Sequence, residues 1–198
     1  MKSLRAVAAV AATAVLLAAC SSEPEAPAET PTSIPPATQT AAATSAGQPV
    51  GHASASDGKG DGKDADLVAV RLDGDDQGLT VKYTLSKQLP IWTAETAMLM
   101  VYAASLDGNH SWQLAVKWIN GEPGVFVFDN TTAQQANLDG RLQVAGKSVT
   151  VTYPAAFVSA LGPSFKWGAY STLDGADMDA CPNNDGALNL ASIPFPSV

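Results

Sequence analysis

The chain has 198 residues, 46% of them hydrophobic and only 15% charged, with 19 acids against 11 bases. That balance excludes a nucleic-acid binder working through a phosphate-neutralising basic surface, and it argues against a polybasic membrane-surface protein. Two His and two Cys give a multi-ligand zinc site or a His-based triad little to draw on, and the length suits one domain.

Residues 1–20 read MKSLRAVAAVAATAVLLAAC. Lys2 and Arg5 precede an apolar run from Ala6 to Ala19, and small residues stand before Cys20, the layout of a secretory signal. The run is 14 residues, short of the roughly 20 a membrane span needs. Its end, Leu17-Ala18-Ala19-Cys20 followed by Ser21-Ser22, resembles the lipobox of bacterial lipoproteins. The resemblance implies cleavage after residue 19, a diacylglycerol-modified Cys20, and a protein held by lipid on the outer face of a bacterial membrane. Acyl chains contribute about 0.8 kcal/mol per buried CH₂, so two or three anchor stably. Taking Lys2 and Arg5 from the 11 bases leaves 9 against 19 acids, a balance of −10. It also leaves Cys181 as the one thiol of the remaining chain, with no intramolecular partner. Asp177 and Asp179 precede it and no His or Lys flanks it, so a buried, inert thiol is expected.

Residues 20–63 are rich in Ala, Pro, Thr, Ser and Gly, and Pro24, Pro27, Pro31, Pro35 and Pro36 oppose regular structure. Little here can offset conformational entropy by burial, so a disordered stalk with a reach on the order of 35 Å is expected.

From residue 64 to 198 the texture becomes that of strands. Apolar residues alternate at Val68, Val70 and Leu72; at Leu79, Val81, Tyr83 and Leu85; at Trp112, Leu114, Val116 and Trp118; and at Val149, Val151 and Tyr153. Ala97 to Ala104 is apolar on both faces, as in a central strand, and Gly124 to Phe128 and Phe165 to Tyr170 complete the set. Asp73-Gly74-Asp75-Asp76, Asp107-Gly108-Asn109, Asn120-Gly121, Asp139-Gly140 and Ala145-Gly146-Lys147 supply turns. Pro154 to Leu161 reads as the one helical stretch, and the tail after Ala187 as an edge segment or a loose end. These elements predict an all-β, antiparallel β-sandwich of about eight or nine strands with one short helix.

The order of features over residues 65 to 186 is also familiar. Asp66 opens a strand ending in Asp73-Gly74, then come a LTVKYTLSK strand, Trp92, and a central strand ending in Leu106-Asp107-Gly108. A Trp-bearing strand, VTVTYP with its helical turn, and Phe165-Lys166-Trp167 follow, before Asp177-x-Asp179-x-Cys181-Pro182. This layout resembles the DOMON-like, family-nine carbohydrate-binding-module type of β-sandwich. The resemblance implies a sandwich used to bind sugars, haem or other ligands, or used as a structural module.

Four Trp and four Tyr are many for one small domain, and exposed rings can stack on the apolar face of a sugar. Trp112 and Trp118 share a face with Leu114 and Val116 and read as core. Trp92, in a Pro90-Ile91-Trp92 loop, and Trp167 with Tyr170, near the acidic end of the chain, are the candidate ligand contacts. Acids crowd the start of the domain (Asp57, Asp61, Asp64, Asp66, Asp73, Asp75, Asp76) and its end (Asp174, Asp177, Asp179, Asp185), and the two clusters meet if the first and last strands are neighbours. A Ca²⁺ held there would draw on Asp174, Asp177 and Asp179, although the spacing is not that of an EF-hand and a solvated acidic rim serves as well. The resemblance also raises haem, which related sandwiches hold through Met with His or Lys; Met98, Met100 and His110 are the candidates, but Met in an apolar central strand is usually packing. Glu95 and Glu122 read as surface charges, and no nucleophile motif is present around Ser111 or Ser159. The expectation is a non-catalytic, lipid-anchored module for a carbohydrate or wall glycan. The alternatives are a structural or protein-interaction module of the envelope and, behind it, a haem-bearing electron carrier.

Overall fold

The computed structural model describes residues 47–62, 64–89, 94–139, 141–182 and 192–197, with Met178 by its backbone only. These residues all belong to one compact unit, Ala41–Val198. Cys20, the leader, most of the expected stalk and Trp92 lie outside the described residues. Among the described residues no helix is long and apolar enough to cross a membrane.

The fold is an all-β sandwich of two antiparallel sheets. Along the chain run β1 (Gly51–Ser56), β2 (Leu67–Asp75), β3 (Gly78–Leu85), β4 (Thr96–Ala104), β5 (Ser111–Ile119) and β6 (Glu122–Asp129). They are followed by β7 (Gln134–Leu138), β8 (Leu142–Ala145), β9 (Ser148–Pro154), β10 (Phe165–Leu173), β11 (Ala176–Cys181) and β12 (Ile193–Phe195). The smaller sheet has the order β1-β2-β3-β9-β8; the larger has β11-β10-β4-β5-β6-β7, with β12 also on β10. A single helical turn, α1 (Ala155–Val158), continues into a 3₁₀ turn at Ser159–Leu161.

The alternating strands place Val70, Leu72, Val81, Tyr83, Val149 and Val151 of the smaller sheet against Leu99, Val101, Leu114, Val116 and Trp118 of the larger, all buried. Each such side chain contributes about 1.5–3 kcal/mol on leaving water.

Twelve strands occur among the described residues, against the eight or nine expected, and the additions are at the edges. The most consequential is β1. Residues 51–56 fall in the segment expected to be stalk, yet they pair with β2 from Gly51↔Gly74 to Ser56↔Ala69, and Ala53 is fully buried. Of the expected turn Asp73-Gly74-Asp75-Asp76, the first three residues lie inside β2 and the chain turns at Asp76 and Gln77. A Cβ on Gly74 would meet the Pro49 carbonyl oxygen at 2.0 Å, so the bare glycine lets the incoming chain lie down on the sheet. The sandwich therefore takes in residues 51–56 of the expected stalk. The tail is likewise ordered at β12, where Phe195 is buried and stacks on Phe165 at 4.7 Å between ring centroids.

Candidate functional site

An antiparallel sheet in a sandwich usually turns one face to the core and a polar face to water. The smaller sheet obeys. Its outward rows read Ser54–Arg71–Lys82–Thr150–Gln143 and Asp73–Thr80–Thr152 in register. The Thr80 and Thr152 hydroxyls meet at 3.1 Å, and Arg71 forks onto Asp73 with both contacts at 2.7 Å.

The larger sheet departs from the pattern. One outward row reads Tyr170–Met100–Ala115–Phe126–Asn137, the next Gly168–Tyr102–Gln113–Phe128–Gln135, and a third Thr172–Met98–Lys117–Gly124. Tyr102, Tyr170, Phe126 and Phe128 are part-exposed, whereas Met100 and Ala115 between them are covered although they point outward. The four rings flank these two residues and form an aromatic platform bordered by amides. The Tyr170 hydroxyl donates to Met100 Sδ at 3.3 Å. Burial, then the neighbouring Asp177 and Tyr102, push its phenol above the ordinary range.

Beside Phe126 the platform opens into a groove of about 790 Å³, running past Lys117, Gly124 and Asn137 to Arg141 and Leu142, with Glu122 and Asp139 also on its walls. Gly124 makes the notch, since a Cβ there would meet only the Lys117 carbonyl oxygen, at 3.9 Å. Two amide pairs are fixed by mutual hydrogen bonds: Gln113 donates to Asn130 at 2.8 Å and Gln135 to Asn137 at 2.6 Å.

Of the residues singled out by sequence, Tyr170 lies on this platform. Trp167 does not, being fully buried between the sheets. The two are three apart on one strand and necessarily face opposite ways. Trp112 and Trp118 are core, as expected. Met100 faces outward with its sulfur engaged by Tyr170, and His110 stacks on Trp112 at 6.0 Å, so each has a local partner of its own. Tyr102, Phe126, Phe128 and Gly124 were not among the candidates.

The acidic residues of the chain's two ends do meet, but in a different trio from Asp174, Asp177 and Asp179. A bulge in the β10–β11 pairing sets Asp179 opposite inward-facing Ser171 and Asp177 opposite outward-facing Thr172, so the two carboxylates part. Asp174, at φ 50°, makes the β10–β11 hairpin turn with Gly175 and accepts from the Thr96 N–H at 2.9 Å. Asp179 instead joins Asp57 and Asp61, with carboxylate oxygens within 4.8 Å of one another. A Ca²⁺ there would need backbone carbonyls or water beside the three carboxylates to complete its six to eight oxygens. Asp66, buried alongside, accepts from the N–H groups of Gly60 at 2.9 Å and Gly62 at 3.4 Å. Cys181 is buried and free, its thiol pushed up to about 12 by burial and by Asp57 and Asp179.

Burial, with Asp57 and Asp61 nearby, pushes Asp179 up to about 6 from 3.8, although its carboxylate accepts from the Leu67 N–H at 2.6 Å. A carboxyl with a raised folded-state pKa holds its proton more tightly in the folded chain. Its contribution is therefore present below 3.8 and lost as pH rises toward about 6. Asp107, drawn down to about 2 by Ser105 and Asn109, acts oppositely, its contribution being lost as pH falls below 3.8. Stability is expected to peak between these limits. Asp179→Asn keeps an acceptor for Leu67 while removing the repulsion. In melts across a pH series it should raise the melting temperature at neutral pH, the gain in stability being on the order of 1 kcal/mol after solvent screening, and flatten the fall between pH 4 and 6. An unchanged slope would mean that Asp179 is an ordinary carboxylate.

No family model, no curated protein and no solved structure matches this chain. The class that the fold defines is an all-β antiparallel sandwich; its chemical character comes from the aromatic face of the larger sheet.

Proposed function

We propose that the chain is an extracytoplasmic lipoprotein, anchored through Cys20, whose sandwich is a non-catalytic binding module for a carbohydrate such as a wall glycan. The lipobox-like Leu17-Ala18-Ala19-Cys20 supports the anchor and the location. One observation carries the binding reading: the outer face of the larger sheet presents Tyr102, Tyr170, Phe126 and Phe128 where the outer face of the smaller presents Thr, Lys, Arg and Asp. A solvent-facing apolar patch bordered by polar groups marks a binding surface. Here the border is amide-rich, with Gln113, Gln135 and Asn137 supplying donors and acceptors for hydroxyls around rings suited to a sugar's C–H face, and Asn130 holding Gln113 in place. A protein-interaction module would present the same apolar patch; the prealigned amides favour the glycan.

Gly124→Leu tests the reading with little risk to the fold. Gly124 lies in β6 outside the left-handed region, and its Cβ has open space. Replacing a strand glycine should leave stability unchanged or raise it by up to about 1 kcal/mol. The added side chain fills the notch beside Phe126. Calorimetric titration with a panel of soluble glycans is expected to show saturable binding by the native chain, a loss of tenfold or more in Gly124→Leu, and no release of reducing ends. Binding indifferent to Gly124→Leu would remove the site, and hydrolysis would make the protein an enzyme. Silence across the panel together with crosslinking to an envelope protein would favour the interaction module.

A further inference from the structure

The spacing of the rings bears on what form of carbohydrate the platform takes, an inference that rests on the glycan reading above. Tyr102 on β4 and Tyr170 on β10 form one aromatic station, close enough for their hydroxyls to influence each other. Phe126 and Phe128 on β6 form a second. Between them lies β5, which contributes Ala115 to one row and Gln113 to the other. Strands stand about 4.8 Å apart, which puts the second station roughly 10 Å from Tyr102 and roughly 14 Å from Tyr170. A single pyranose ring cannot reach both.

The charges lining the groove are balanced, with Lys117 and Arg141 against Glu122 and Asp139, so it offers no net attraction to an anionic or a cationic polymer. The Gln113–Asn130 and Gln135–Asn137 pairs stand beside Phe128 and Phe126, already oriented by their own hydrogen bonds, which lowers the ordering cost of a polar contact.

We propose that the platform binds a neutral glycan as a chain laid across the strands of the larger sheet, held at the Tyr102/Tyr170 station and the Phe126/Phe128 station together, with the Gly124 notch flanking the second. The site therefore reads an internal stretch of several sugars, and a single terminal sugar fills only one station.

The test is calorimetric titration of the whole chain after its leader with cello-, xylo-, chito- and manno-oligosaccharides, each from monosaccharide to hexasaccharide. For at least one series, affinity is expected to climb by roughly tenfold or more with length and then level off once both stations are filled, each stacked ring contributing several-fold. The Tyr102→Ala/Tyr170→Ala double variant should abolish the climb while keeping the weak affinity for the shortest binders. Phe126→Ala should do the same from the other end. All three side chains are part-exposed, and a melt of each variant checks that the fold survives. Equal affinity for monosaccharide and hexasaccharide would overturn the two-station arrangement and leave glycan binding standing. So would a length dependence that survives the double variant. No binding by any series at any length would sink this inference and the glycan reading together.

Discussion

Trp167→Ala is expected to destabilise the domain by about 3–5 kcal/mol, because it empties the largest fully buried side chain of the core. For a unit of this size that is a fall of roughly 10–15 °C in melting temperature. The indole lies on β10 opposite Ala103 of β4 and Ile193 of β12, so the cavity would open where the C-terminal segment is fastened to the sheet. Trp167→Phe separates volume from polarity. The indole Nε1 finds no acceptor among the described residues, and an unpaired buried donor costs about 1–3 kcal/mol. Phenylalanine loses part of the packing but removes that donor, so a net change within about 1 kcal/mol is expected. Thermal melts of both variants decide the matter. If Trp167→Ala melts with the native protein, the side chain is not core and a ligand-contact role for it returns.

Gly78→Ala should cost between about 2 and 6 kcal/mol through a different mechanism. Gly78 opens β3 at φ 145°, where side chains are strained, and its Cβ would stand 2.1 Å from the Tyr153 carbonyl oxygen and 2.9 Å from the Ala155 nitrogen. These are backbone atoms of the β9–α1 junction and cannot swing aside. Asp75 holds the turn from the other side, its carboxylate accepting from the N–H groups of Gln77 at 2.8 Å and Gly78 at 3.1 Å. Denaturant unfolding of Gly78→Ala beside Gly124→Leu checks the argument from both directions, since the larger substitution should be harmless and the smaller one damaging. Equal stabilities would refute the close approach at Gly78.

Much of the sandwich is legible in the residues. Strict alternation in β3, β5 and β9 marks which side chains share a face, and Asn120-Gly121 makes its expected turn with φ of 51° and 84°. The edges are not legible. GHASAS in β1 and ADMDAC in β11 carry small or acidic residues of poor strand propensity. They become strands because β2 and β10 offer them open edges. Asp174 reads as a candidate metal ligand because Asp serves equally well as a ligand and as a hairpin residue tolerating positive φ.

The platform is not legible in the residues for a related reason. Phe126 and Phe128 alternate with Val125 and Val127, and Tyr102 stands between Val101 and Ala103. Both faces of these strands are apolar, so no contrast in the pattern says which face meets the opposing sheet. A period of two settles by itself that Trp167 and Tyr170 point opposite ways and that Trp112 and Trp118 point together. It does not settle which side is core, where a bulge turns Asp177 away from Asp179, or which edge takes up β1. Those choices depend on pairings between residues distant in the chain, and only the packed sheets decide them.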